Sequence, residues 1–119
     1  MSHDNLRERT FQFALASIRA VKPLAEDRLA RHLIGQVVRS SGAVAANYSS
    51  ACHAKSRRDF AAKMMIVAEE AAETAIWLRL FLELGLLTTE SARPLMQEAG
   101  ELTAISVASA ATARRKRNS

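Results

Sequence analysis

Three glutamates, Glu69, Glu70 and Glu73, stand within five residues of one another on a stretch with helical periodicity. Glu70 and Glu73 are three apart and so neighbours on one helix surface. Paired carboxylates can shuttle protons or hold a metal ion. A di-metal bundle, however, also needs Glu-x-x-His pairs, and the chain has none. His3, His32 and His53 fit no ligand spacing with the glutamates. No nucleophile–base pair is evident either. We therefore expect no cofactor, no metal and no catalytic set. The carboxylates instead suit a structural polar network. Arg39 and Asn47 lie two turns apart on the preceding helix, and Arg39, Asn47, Glu70 and Glu73 are expected to form a buried or interfacial salt-bridge network.

A second constellation is basic. Lys55, Arg57, Arg58 and Lys63 cluster around the link between the two central helices, and Arg114, Arg115, Lys116 and Arg117 form a tail. Lys and Arg displace condensed counterions from nucleic acid, so both groups are candidate phosphate contacts. The bland alternative is a solvated loop with ordinary surface charge. The net charge of +5 is strongly segregated. Residues 1–63 carry 11 Lys/Arg against 5 Asp/Glu, residues 64–113 carry 2 against 7, and the tail adds four cations. Such polarity suits head-to-tail contacts between subunits or one basic face for an anionic partner.

The elements that position these groups are all helical. There are 23 alanines, four glycines and two prolines in 119 residues, a composition that favours helix nearly throughout. Helix 1 is expected over about Asn5–Val21, with Phe11, Leu15 and Ile18 on one stripe and Pro23 ending it. Helix 2 should run from about Glu26 to His53, its apolar side marked by Leu29, Leu33, Val37 and Val44. Helix 3 starts at Ser56, where Ser56-x-x-Asp59 resembles a capping box. Its seam, Phe60, Met64, Val67, Ala71, Thr74, Leu78 and Phe81, repeats at spacings of 4, 3, 4, 3, 4 and 3. Gly85 should stop it. Helix 4 begins between Thr88 and Ser91, with Pro94 tolerable near its first turn and an apolar face of Leu95, Met96, Leu102 and Ile105. The chain reads as all-α, and two long central helices joined by a short link argue for an antiparallel hairpin, within a single domain over 1–119 that has a basic tail at 114–119.

Three further features bound the function. Helix 2 from Ser40 to Ala51 is made mostly of small residues, and Gly42 in mid-helix costs about 1 kcal/mol against alanine, which points to close helix packing. An alanine-rich core buries little area per residue, so oligomerisation would add burial that the monomer lacks. The lone Cys52 excludes an intrachain disulfide and suits a small buried side chain. The most apolar run, Ile76 to Leu87, is interrupted by Arg79 and Glu83, too soon for a membrane span. A cytoplasmic protein without a membrane partner is the expectation. Trp77 is expected in the core or at an interface.

The residues Gln36, Arg39, Ala46-Asn47-Tyr48, Ser56-Arg57-Arg58-Asp59-Phe60, Lys63, Glu70-Ala71, Glu73-Thr74 and Trp77-Leu78 together resemble the four-helix-bundle family of 23S rRNA intervening-sequence proteins. That family's pattern reads Q-x-x-R, A-N-x-x-E-G or A-N-Y-x-E-A, S-x-x-[DE]-F, then E-A-x-E-T-x-x-W-L. Ser50 stands where the pattern has glutamate, and Ala51 where one branch has glycine. The resemblance implies an antiparallel up-down four-helix bundle that assembles as a homopentameric ring or barrel. For the function we expect a non-enzymatic, oligomeric adaptor that binds structured RNA or a ribonucleoprotein. The alternative is a protein-binding scaffold whose charge polarity serves self-assembly, or a reverse-transcriptase accessory protein without intrinsic RNA affinity, the role implied by a related branch, the accessory variability determinants of diversity-generating retroelements.

Overall fold

The starts of the second, third and fourth helices and the end of the third have local chemical causes. The computed structural model describes residues 3–117, with side chains over 5–115. Helix α1 spans His3–Val21 and runs into a short 3-10 turn, Lys22–Leu24, that holds Pro23. Helix α2 spans Arg28–Ala51, α3 Arg57–Glu83 and α4 Thr89–Arg117. Asp27 caps α2 by accepting the Ala30 N–H at 2.9 Å. It satisfies one of the orphan donors of the first turn. Ser56 caps α3 in the same way, accepting the Asp59 N–H at 3.0 Å. The return bond of this box reaches one residue further back than usual, for Asp59 accepts the N–H of Lys55 at 3.1 Å.

Helix α3 stops in a Schellman motif. Gly85 sits at φ +75, which only glycine adopts without cost. Its N–H donates to the Leu82 carbonyl at 3.0 Å, and Leu86 donates to the Phe81 carbonyl at 2.9 Å. Thr88 then caps α4 by accepting from the Ser91 N–H at 3.1 Å. Pro94 falls in the second turn of α4 instead of the first. It deprives the Glu90 carbonyl of its helical donor at an exposed position, where water can replace it.

The seam of α3 is the middle of the core. Met64, Val67, Ala71, Thr74, Leu78 and Phe81 are all buried, and Phe60 is half-buried. Two apolar clusters divide the bundle lengthwise. One gathers Leu6, Tyr48, Ala51, Ala61, Ala110 and Ala113 near the amino end of α1. The other gathers Val21, Ala30, Leu33, Val37, Leu78 and Phe81 near its carboxyl end. The helices therefore run up-down-up-down, α1 beside α2 and α4, and α3 beside α2 and α4. The assembly measures 53 × 20 × 20 Å. No strand occurs among the described residues.

Two apolar stripes differ from the sequence expectation. Helix α1 buries Leu6, Thr10, Phe13, Ala14, Ser17 and Val21, while Leu15 and Ile18 are half-buried and Phe11 is 54% exposed. The helix is turned by roughly a quarter of a revolution, because small residues at 10, 14 and 17 let it approach its neighbours closely. In α2 the inward positions are Ala30, Leu33, Val37, Val44 and Tyr48, and Leu29 in the first turn is exposed. In α4 the innermost residues are Ala92, Ala99, Leu102, Ser106, Ala110 and Ala113, with Leu95, Met96 and Ile105 half-buried at the flanks. Cys52 is half-buried at the carboxyl cap of α2.

Ser17 Oγ is buried without a hydrogen-bond partner. An unsatisfied buried hydroxyl costs on the order of 1 kcal/mol or more. Ser17→Ala should therefore leave stability unchanged or raise it by about 1 kcal/mol in urea unfolding. A clear loss would mean that the hydroxyl is hydrogen-bonded in solution.

Candidate nucleic-acid interface

The up-down topology carries four chain segments to one end of the bundle: the start of α1, the end of α2, the start of α3 and the end of α4. The cluster containing Leu6, Ala51, Ala61 and Ala113 ties them together. Lys55, Arg57 and Arg58 at the α2–α3 turn thus share that end with Arg114 and Arg115 in the last turns of α4. All five are exposed. Arg7, one turn into α1, is exposed at the same end. Two basic runs almost sixty residues apart in sequence are thereby joined. Arg114 and Arg115 suit the negative end of the α4 dipole. The side chains of Lys116 and Arg117 lie outside the described residues.

Lys63 is placed differently from the other basic residues. It is half-buried and donates to Asp59 Oδ2 at 3.1 Å as an i,i+4 ion pair. Asp59 is held below the usual carboxylate range, first by the Lys55 backbone N–H and then by Lys63. The acid beside the basic turn is thus already engaged by the Lys55 backbone and the Lys63 ammonium.

The polar network on α2 and α3 comprises three of the four expected residues. Arg39 Nη1 lies 3.4 Å from Glu70 Oε1, and its Nη2 meets Glu73. Glu73 also accepts from the Trp77 indole at 2.9 Å. Asn47 stands apart, donating within its own helix to the Ala43 carbonyl at 2.8 Å. Arg39 is half exposed, its side chain 51% accessible. Within one subunit the ion pairs therefore lie at the surface, and the large penalty of a buried orphan charge does not apply. Among the described residues no three His, Cys, Asp or Glu side chains are grouped to hold a metal. No described helix is long and apolar enough to cross a membrane.

The model of the 23S rRNA-intervening sequence protein family matches residues 5–108. The chain belongs to this family. A crystal structure of a protein of unknown function from the S23 ribosomal protein family, from Bacteroides thetaiotaomicron VPI-5482, is similar to it, with a TM-score of 0.80 and 26% identity. The similarity covers 87% of this chain and 95% of that one. No curated protein matches the chain in sequence.

Two interactions that hold the bundle together are silent in the sequence. The Thr74 hydroxyl reaches Ser40 Oγ at 2.8 Å in the core, while Ser40 donates to the Gln36 carbonyl at 2.9 Å. Thr74 fills a seam position, and a polar partner inside α2 is signalled only by the serines there. Arg9 joins α1 to α4, donating from Nε and Nη2 to Glu98 at 2.7 Å each, and from Nη2 to Glu101 at 2.9 Å. Glu98 and Glu101 are i,i+3 neighbours that face α1, but nothing in the sequence pairs them with a residue 89 positions away.

The depressed Asp59 carboxyl fixes the sign of one pH effect. Its contribution is present above the ordinary Asp value near 3.9 and is lost as pH falls through the lower folded value. Asp59→Ala should therefore flatten the fall of Tm between about pH 5 and pH 2; an unchanged slope would mean the box contributes nothing. Glu73→Ala should cost only about 1 kcal/mol in the monomeric fold, because its ion pair is surface-exposed. A loss of several kcal/mol at concentrations where the chain is monomeric would show that the pair is effectively buried.

Proposed function

We propose that this chain is a non-enzymatic, oligomeric adaptor that holds structured RNA, or a ribonucleoprotein, against one end of its bundle. The observation that carries the reading is the gathering of Arg7, Lys55, Arg57, Arg58, Arg114 and Arg115 at that end from four separate segments. Lysine and arginine so arranged contact phosphate with little sequence preference. The family's name points to 23S rRNA as the RNA to try first.

Self-association completes the proposal. A ring, five subunits by the family resemblance, repeats the basic end around its axis. Weak contacts from each subunit then sum by avidity. The repeated charge is what makes a small, shallow basic surface useful.

The reading is tested by RNA titration over a range of salt. Binding should weaken with a log–log slope of roughly −0.7 to −0.9 per phosphate contacted. Arg57→Ala combined with Arg58→Ala should weaken binding of all RNAs alike and flatten the slope. Deleting 114–117 should do the same independently. Absence of saturable binding near physiological salt, to 23S rRNA fragments and unrelated structured RNAs alike, would refute the RNA role and leave a protein-binding scaffold.

A further inference from the structure

Gly42 poses a packing question that its own subunit does not answer. It sits in the middle of α2, where glycine weakens a helix. Nothing beyond the helix's own backbone and nearest neighbours lies within 4 Å of the place its Cβ would occupy. The space opens into an apolar groove of about 430 Å³ between α1 and α2, lined by Phe11, Leu15, Ile18, Gly42, Ala45 and Ala46. The expectation that the small residues of α2 serve packing inside the bundle therefore fails at Gly42. Its small size leaves room for something outside the subunit.

A matching surface lies on α3. Its core seam is shadowed by a second one on the outer side: Ala62, Ile66, Glu69, Glu73, Ile76 and Leu80, at spacings of 4, 3, 4, 3 and 4. Ile66 is 41%, Ile76 60% and Leu80 38% exposed. This is the period that packs one helix against others at a shallow angle. Helix α3 is diagonal to α1 in the bundle, so seam and groove are different faces of one subunit.

We infer that subunits associate head to tail, the outer seam of α3 in one copy seated in the α1–α2 groove of the next. This inference rests on the proposed self-association and specifies its contact. Charge supports it: the groove is flanked by exposed Arg7 and Arg19 on α1 and by exposed Lys22 just beyond it, whereas the seam carries exposed Glu69, its other acid, Glu73, being already paired with Arg39. Height supports it too. Leu15 lies at the level of Gly42–Ala46, and Ser40 is level with Thr74, so the groove corresponds to about residue 70 of α3, counting equal rises along antiparallel helices. Neighbours at equal height then place Ile66 against Phe11, with no axial climb. A contact between two different faces closes into a ring when the rotation allows it.

Two single-cysteine variants test this, Ile66→Cys and Ala46→Cys, each in a Cys52→Ser background and carrying tags of different size. Co-expressed and mildly oxidised, they should form a disulfide dimer containing one of each tag, and neither alone should cross-link. Gly42→Leu should shift the native mass toward 13.0 kDa while helical content is kept. Gly100→Leu, equally open but on α4, should leave the mass unchanged. An assembled protein that cross-links only within single-variant populations, or not at all, would overturn this contact and leave self-association standing. A 13.0 kDa particle for the parent across a hundredfold concentration range would remove both.

Discussion

The core seam of α3 is the constraint on which the rest of the structure depends. Met64, Val67, Ala71, Thr74, Leu78 and Phe81 supply residues to both apolar clusters, and α2 and α4 each pack along this one helix. A sustained 4-3 spacing sets shallow crossing angles. Those angles keep four helices nearly parallel over 53 Å, so that elements distant in sequence come to common ends. The Ser40–Thr74 hydroxyl contact fixes the register of α2 on α3 inside the seam, where an unpaired hydroxyl would be costly. Arg9 performs the corresponding role outside the core, clamping α1 to α4 through two carboxylates.

A core built from alanine and serine has a consequence at the surface. Thr10, Ala14 and Ser17 in α1, and Ala99, Ser106 and Ala110 in α4, fill inward positions that larger residues occupy in other bundles. The helices come close, the cross-section is 20 × 20 Å, and several large apolar side chains remain outside. Phe11, Ile66, Ile76 and Leu80 are among them. Single exposed apolar residues are ordinary, but residues in a heptad line are not scattered. The proposed assembly gives these side chains a place and orients the basic ends of all subunits in one direction.

Much of the fold was legible because its signals are local. The seam of α3, the cap at Ser56 and the stop at Gly85 depend on residues within a turn or two of one another, whereas the cap at Asp27 lies inside the helix expected from about Glu26. The rotation of α1 was not legible: Phe11, Leu15 and Ile18 form as good a stripe as Leu6, Phe13 and Val21, and the small residues that decide between them become informative only beside their neighbours. The candidate site was legible in its parts. Lys55, Arg57 and Arg58 stand out in the sequence, as does the tail, but their shared end follows from topology. The composition also hides that Lys63 is neutralised by Asp59, that Asn47 turns back onto its own helix, and that Arg39 is exposed.

The central claim is that one end of the bundle, and not the other, meets RNA. The opposite end also carries cations, Arg19, Lys22, Arg28, Arg31, Arg79 and Arg93, but it interleaves them with Glu26, Asp27, Glu83 and Glu90. Hydrogen–deuterium exchange with and without a structured 23S rRNA fragment separates the two. The account predicts slowed exchange at the start of α1, across residues 52–58 and in the last turns of α4, with residues 22–31 and 84–93 unchanged. Protection at residues 22–31 and 84–93 instead, or protection spread evenly over both ends, would contradict it.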